Sequence, residues 1–390
     1  MPLRDTAIVG YAETKITVKS PIDVLGLAGE VLDSLLNTTG FDKNEIDGLI
    51  VTPSISTAKN EFWSQMLADY LGLQLNFCDK TELGGCSSVA SVARAAAAID
   101  AGLCSTVLLL NSDTPTREYQ FETYGFHEEW IDPYGEMGPP GAFGLISTRY
   151  EHEYGLDHSA LGKLAVAQRN HAILNGNACE KLRKPITVED YLNSRMISEP
   201  VRLLDCVMPA DGANGLLLTS RKNAKAKQLD RFVVPVGYGE LSNLHAARSI
   251  SDATETGHRI AGERAFKQAG LKPKDIGSFQ PYDDFIIAIL LQLEMLGFCG
   301  KGQGSAYIRE TNFDYDGDLP LNTGGGQISA GQIGLAGGGT NLVEAVRQLF
   351  GEGGLRQVKN THNALVTGIG WLSHSRSWFS SNALILVPDA

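Results

Sequence analysis

TELGGCSSVASVARAAAAIDAGLCSTVLLLNSD, running from Thr81 to Asp113, decides how this chain is read. The Gly84-Gly85 pair makes a turn that delivers Cys86 to the first turn of an Ala-rich helix. Ser87 and Ser88 follow, the helix ends near Gly102, and an apolar strand begins at Thr106 and runs to Leu110. A helix start leaves backbone N–H groups unpaired and carries positive partial charge. A thiol placed there is expected to be depressed in pKa toward the reactive thiolate. The competing reading is a buried structural cysteine, the commoner fate of a free thiol. Taken alone, this stretch favours that reading; the rest of the chain favours a nucleophile.

Outward from this stretch the chain repeats itself, as a search for internal similarity brings out. AGEVLDSLLNTTGFDKNEIDGLIVTPS, from Ala28 to Ser54, has a counterpart in AGERAFKQAGLKPKDIGSFQPYDDF, from Ala261 to Phe285. Each reads as a helix, a Gly-led turn and a short strand. Each is preceded by a strand, ending at Gly10-Tyr11 in one case and Gly237-Tyr238 in the other. GGCSSVASVARAAAAIDAG is matched downstream by GGGQISAGQIGLAGGGTNLVEAVRQLFGEGG, and the strand VLLLNSD by ALVTGIG. The unit is β-α-β-β-α-β, written twice. That predicts two like α/β halves with mixed sheets about a pseudo-two-fold. The expected division is 1–113 with 199–228 for the first half, 114–198 for an insertion, and 229–390 for the second half.

The insertion is too long for a plain loop. It carries Tyr119, Phe121, Tyr124, Phe126, Trp130 and Tyr134 and the stretch GEMGPPGAFG, and helical periodicity returns at Thr148–Glu153 and Ala160–Asn175. It reads as a lid that shapes a pocket, or as a dimerisation flap. A second insertion, Trp371 to Ser381, reads as a pocket wall or a partner surface.

Composition narrows the function. A chain of 390 residues, 43% hydrophobic and 20% charged, is globular and large enough for two fused domains. A net charge of -12 argues against a nucleic-acid or anionic-membrane partner. No apolar run is long enough to span a bilayer, and no signal segment opens the chain. The six cysteines show neither a CxxC pair nor metal-ligand spacing, and the eight histidines form no HExxH, so no metal site is expected. A cytoplasmic protein with reduced thiols is the expectation.

A duplicated α/β half with a Cys at the first helix start resembles the thiolase superfamily across nearly the whole length. SRMISEPVRLLDCVMPADGANGLLLTS and YDDF…QLEMLGFCGKGQG are similar to the sterol-carrier-protein type, and at least as similar to the thiolase-like steroid side-chain aldolases. The resemblance implies a five-layered αβαβα fold, a homodimeric core and coenzyme A thioester chemistry without a resident cofactor. Thiolases carry a nucleophilic Cys, matched by Cys86. Their Asn-Glu-x-Phe or His-Asp-x-Phe motif reads here Tyr282-Asp283-Asp284-Phe285. Their Gly-His-Pro reads Gly331-Gln332-Ile333, and their Cys-x-Gly reads Gly368-Ile369-Gly370. The usual His and second Cys are therefore missing. The steroid aldolases have Tyr at the place of Tyr282, a second Tyr near that of Gln332, and no Cys at that of Cys86.

The main expectation is a thiolase that cleaves a bulky, branched or aromatic 3-oxoacyl-CoA with coenzyme A as co-substrate, through an acyl-enzyme on Cys86. A benzoylsuccinyl-CoA-type thiolase is one specific form of it. Backbone N–H groups of Cys86 and of the Gly368–Gly370 loop would form the oxyanion hole. Tyr282 would donate to the thioester enolate, Gln332 would hydrogen-bond an oxyanion or a water, and Asn322 is a further polar candidate that also suits a turn. Of the adjacent carboxyls Asp283 and Asp284, one would brace the loop, and neither is a strong acid candidate. Gly257 and His258 are candidate CoA contacts; His127 and His374 are read as surface or core residues. Two alternatives stand: a retro-aldol lyase using Tyr282 as base, and a non-catalytic acyl-CoA-binding scaffold. The resemblance also implies a small OB-fold, zinc-ribbon partner subunit. Its basic residues would serve the CoA phosphates, for which this acidic chain has no obvious Arg/Lys cluster.

Overall fold

Each half of the chain opens with an apolar strand that returns along a helix, and the two openings meet. In the computed structural model, residues 2–57, 60–118, 132–135, 138–244, 252–359, 361–370, 372–373 and 377–389 are described. β1 (Thr6–Glu13) leads to α1 (Val24–Thr39), which starts where the Asp23 carboxylate accepts the Gly26 N–H at 2.8 Å and stops at Gly40, φ 69°. Next come β2 (Gly48–Val51), α2 (Trp63–Leu71), β3 (Phe77–Lys80), α3 (Ser87–Asp100) and β4 (Thr106–Asp113). The insertion contributes α4 (Pro139–Tyr154) and α5 (His158–Leu174), and β5 (Gly212–Ser220) returns antiparallel between β4 and β1. The second half repeats the order with β6 (Val233–Ser242), α6 (His258–Ala269), β7 (Phe279–Gln280), α7 (Ile286–Met295), α8 (Gly326–Ala330), α9 (Gly337–Leu349), β8 (Ala364–Ile369) and β9 (Ser380–Pro388).

The strands form one nine-stranded sheet ordered β3-β2-β4-β5-β1-β6-β9-β8-β7. Read outward from its centre, β1-β5-β4-β2 on one side mirrors β6-β9-β8-β7 on the other, so the sequence duplication is a structural one. The halves join where Ile8 pairs with Val233. α3 and α9 pack on each other and on strands of both halves, forming the middle helical layer. α1 covers the outer face of the first half and α6 that of the second. This is the layered α/β architecture expected from the duplication.

α7, IIAILLQLEM, is apolar nearly all round, and every residue of it is buried. Each such Leu or Ile contributes ~1.5–3 kcal/mol on burial. α9 is buried along its whole length and carries charge inward. Arg347 bridges Glu344 at 2.6 Å and Glu13 of β1 at 2.5 Å, and Arg356 reaches Glu344 at 3.0 Å. Burial alone would raise the Glu344 carboxyl, but Arg356 and Arg347 bring it down to about 2. The ion cluster thus pins the middle layer to the junction of the halves.

The insertion docks on the second half. Phe143 of α4 stacks on Phe285 with ring centroids 4.1 Å apart. The Asn175 amide at the end of α5 donates to the Gly324 carbonyl at 2.9 Å, and the Arg169 Nε donates to Ser329 Oγ at 3.2 Å. Tyr134 is exposed. The aromatic run Tyr119, Phe121, Tyr124, Phe126 and Trp130, and also His127, Trp371, His374 and Arg376, lie outside the described residues. Among the described residues no helix is long and apolar enough to cross a membrane.

Candidate active site

The Gly84-Gly85 turn brings two elements of the two halves to one point. Gly84 takes φ 57°, and the Ser87 hydroxyl both accepts the Leu83 N–H (2.9 Å) and donates to the Gly84 carbonyl (2.7 Å). Cys86 follows as the residue capping α3. A Cβ on Gly85 would lie 2.3 Å from Cζ of Tyr282, so the phenol ring rests directly on this turn. One on Gly338, in the first turn of α9, would lie 2.7 Å from the Gly85 carbonyl and 3.5 Å from Cε2 of Tyr282. One on Gly368 would lie 2.7 Å from Cα of Cys86. Glycine at these three places makes room for one cluster. The Gln332 side chain lies near enough to the Tyr282 hydroxyl to favour its ionised form. Cys86, Tyr282, Gln332 and Gly368 are therefore brought together, as the sequence reading expects.

The electrostatics of Cys86 are the reverse of the expectation. The residue is fully buried. Burial pushes its thiol well above the ordinary range, and the nearby Glu240 carboxylate adds to this. Backbone groups of Asn382 and Gly370 and the Arg94 guanidinium favour the thiolate and are outweighed. Glu240 itself is paired with Arg94 at 3.0 Å and accepts from the Tyr238 hydroxyl. The start of α3 thus carries a neutral thiol, because desolvation exceeds the helix-start field.

The expected oxyanion donors are also engaged. The Cys86 N–H donates to the Leu83 carbonyl at 3.2 Å, and the Gly370 N–H to the Ser380 carbonyl at 2.7 Å. The Gly368 carbonyl accepts from His258 Nε2 at 3.0 Å. His258 is buried at the start of α6, its Nδ1 lies 2.9 Å from the Thr256 hydroxyl, and burial lowers its pKa to about 4. With both ring nitrogens engaged inside the protein, it braces the Gly368 loop rather than offering a CoA contact. Gly257 beside it packs 3.1 Å from Ser381 by the same measure of an added Cβ. Asn322 has φ 44° and its backbone carbonyl accepts the Gly325 N–H at 2.8 Å, so it is a turn former. Its amide sits with Gln168 and Asp283 at the Gly326 turn.

Tyr282 is held from both sides along its backbone. Its N–H donates to Thr367 Oγ1 of β8 at 3.2 Å, and its carbonyl accepts from Gln292 of α7 at 2.8 Å. Burial raises the phenol pKa far above the ordinary value; Asp284 raises it further and Gln332 opposes. Asp283 is a hub that the sequence suggests only in outline. It accepts from Gln168 (2.5 Å), the N–H groups of Gln327 (3.0 Å) and Ile328 (3.3 Å), and Asn341 (3.1 Å). One carboxyl thereby ties the insertion, α8 and α9 to the strand end that carries Tyr282. Gln168 and Asn341 are the partners that sequence reading missed. Each lies on a buried helix face with other polar residues, Asn341 with Glu344 and Gln348 and Gln168 with His171, and that buried polar pattern is the signal that could have found them.

Residues 239–379 match the family described as thiolase C-terminal domain-like. The chain is 32% identical over 378 residues to the 17-hydroxy-3-oxo-4-pregnene-20-carboxyl-CoA lyase of Mycobacterium tuberculosis, covering 93% of this chain and 95% of that protein. It is a thiolase-like protein, of the family that includes the steroid side-chain aldolases. A steroid side-chain-cleaving aldolase of Thermomonospora curvata is 30% identical over 380 residues, covering 93% of this chain and 94% of that one. A solved Ltp2–ChsH2(DUF35) aldolase superposes with a TM-score of 0.87 at 30% identity over 99% of both chains. In this chain the Tyr282 cluster sits on the duplicated core itself, where the two halves meet.

Proposed function

We propose that the protein is a retro-aldol lyase that splits the C2–C3 bond of a 3-hydroxyacyl-CoA bearing a bulky ring system. The observation that carries this reading is the pairing at the Gly84-Gly85 turn. There a fully buried thiol, its pKa pushed well up by burial, stands beside the Tyr282 phenol that packs on Gly85. Retro-aldol cleavage needs no nucleophile. The C3 hydroxyl loses its proton and becomes a carbonyl. The C2–C3 electron pair passes into the thioester as an enolate, and C2 is then protonated. No free CoA is consumed, and neither a His at the place of Gln332 nor a Cys at that of Gly368 is required. The acyl-enzyme thiolase, and with it CoA as co-substrate, gives way to this alternative, because burial leaves Cys86 protonated and the two relatives are named as aldolase and lyase. In the compound that names the Mycobacterium relative, the 17-hydroxyl stands β to the thioester carbonyl, which is the arrangement this chemistry uses.

The test is incubation with that thioester in the absence of free CoA, with products identified by mass spectrometry. The 17-ketone and the matching acyl-CoA are expected. Cys86→Ala should retain turnover within about threefold of wild type. An acyl adduct on Cys86 together with strict CoA dependence would restore the thiolase. Binding without turnover would leave the scaffold reading.

We also infer a homodimer. Among the described residues β3 pairs only with β2, which leaves it at the sheet edge, and α2 with its cap residue exposes Phe62 (66%), Met66 and Tyr70 (54%) at i, i+4 and i+8. Tyr70→Glu should convert the dimer to a monomer by light scattering; an unchanged mass in solution would place the interface elsewhere. A small DUF35-type subunit is the further partner we propose, motivated by the solved aldolase complex and by the -12 net charge facing an anionic CoA.

A further inference from the structure

The start of α9 gathers polar side chains that have nothing to bond. The helix is 13 residues long, and no side chain caps its start. Against that start lies the Gln327 carboxamide: a Cβ on Gly337 would stand 2.0 Å from Gln327 Oε1 and 3.2 Å from Cγ of Gln332. Gln327 is fully buried, and neither its Oε1 nor its Nε2 has a hydrogen-bond partner among the described residues. Its backbone is fixed at both ends. The Gln327 N–H donates to Asp283 Oδ1 at 3.0 Å, and the Gln327 carbonyl accepts the Gly331 N–H at 3.0 Å. The next residue of α9, Gly338, is the one that meets the Gly85 carbonyl and the Tyr282 ring. A Cβ there would also lie 3.6 Å from Ser88 Oγ, a second buried group without a partner among the described residues. Buried polar groups are nearly always paired, so two such orphans on one turn beside the phenol point to a ligand that supplies the partner.

Retro-aldol cleavage generates such a ligand. The C3 hydroxyl gives up its proton and becomes a carbonyl. The C2–C3 bond breaks, its electron pair enters the thioester, and negative charge collects on the thioester oxygen until C2 takes a proton back. The backbone donors expected to hold that oxygen, the N–H groups of Cys86 and Gly370, are already bonded to the carbonyls of Leu83 and Ser380. We propose that Gln327 Nε2 donates to the thioester oxygen and holds the enolate beside Tyr282. This rests on the retro-aldol reading. A helix start carries positive partial charge, which draws the carboxamide oxygen and leaves the amide end to donate. The absence of a side chain at Gly337 leaves the space in which Oε1 sits. Gln327 neither gains nor loses a proton in the reaction. It supplies a donor already fixed in a buried site, where such a donor acts most strongly on developing charge.

The experiment joins two measurements on wild type and Gln327→Met, a substitution that keeps the length of the side chain and removes the donor. The first is steady-state cleavage of 17-hydroxy-3-oxo-4-pregnene-20-carboxyl-CoA. The second is the infrared band of the isotope-labelled thioester carbonyl of propanoyl-CoA, the acyl-CoA that this cleavage leaves, when bound to each protein. Gln327→Met should lower kcat about 100-fold with KM within about threefold. Wild type should move the bound carbonyl band to lower frequency, and the variant should lose part of that shift. A residue that only fills space would lower the melting temperature and leave the bound band in place. Gln327→Asn, which keeps the carboxamide but withdraws it by one carbon, carries the same test if the Met variant fails to fold. Cleavage by wild type together with an unchanged kcat in the variant, or with a bound band identical to that of wild type, overturns the inference and leaves the lyase standing. A wild type inert toward the probe overturns the lyase reading and the inference built on it.

Discussion

Tyr282→Phe lowers kcat about 100-fold or more and leaves KM within about threefold. The substitution removes one oxygen and keeps the ring that packs on Gly85 and Gly338. The backbone is fixed by Thr367 and Gln292 and the ring by its packing on Gly85, so the hydroxyl is in place before the reaction begins. A donor aimed at charge that develops only in the transition state acts on kcat rather than on binding. Steady-state kinetics on the purified variant, with its melting temperature as a folding control, measures this. A kcat equal to wild type would make Tyr282 a core residue and remove it from the chemistry.

Gly85→Ala is the second large effect, and it acts through space rather than chemistry. The added methyl would lie 2.3 Å from Cζ and 2.4 Å from Cε2 of Tyr282, and 2.5 Å from the Ile369 carbonyl. The carbonyl is backbone in β8, and the ring is 5% exposed with nowhere to swing. Overpacking of this kind costs ~1–3 kcal/mol. A shift of the phenol by about an ångström would lower kcat about 100-fold. Gly29→Ala is the matched control: an added Cβ there meets nothing within 4 Å, and in mid-helix it should gain up to ~1 kcal/mol. Melting and kcat of the pair decide the matter. A Gly85→Ala protein with wild-type activity would mean the ring is free to move, and the tight turn would lose its role.

The sequence by itself determined the duplication. Strand, helix and turn signals recur in the same order around Gly10-Tyr11 and Gly237-Tyr238, and four strands of each half mirror one another in the sheet, with β3 added at the edge of the first half. Periodicity and glycine placement are local properties, legible without coordinates, whereas the places of Cys86, Tyr282, Gln332 and Gly368 came from the resemblance to thiolase motifs. What those residues do was not legible, because ionisation depends on burial and on neighbours far away in the chain. Cys86 reads as a reactive thiol from its helix start; only the fold buries it and sets Glu240, 154 residues later, beside it. His258 reads as a channel residue; only the fold buries it at the start of α6 and turns its Nε2 to the Gly368 carbonyl. Asp283 and Asp284 are identical in chemistry and adjacent in sequence. The tertiary structure alone separates them, by bringing Gln168, Asn341 and the N-terminus of α8 to one carboxyl and leaving Oδ1 of the other unpaired among the described residues.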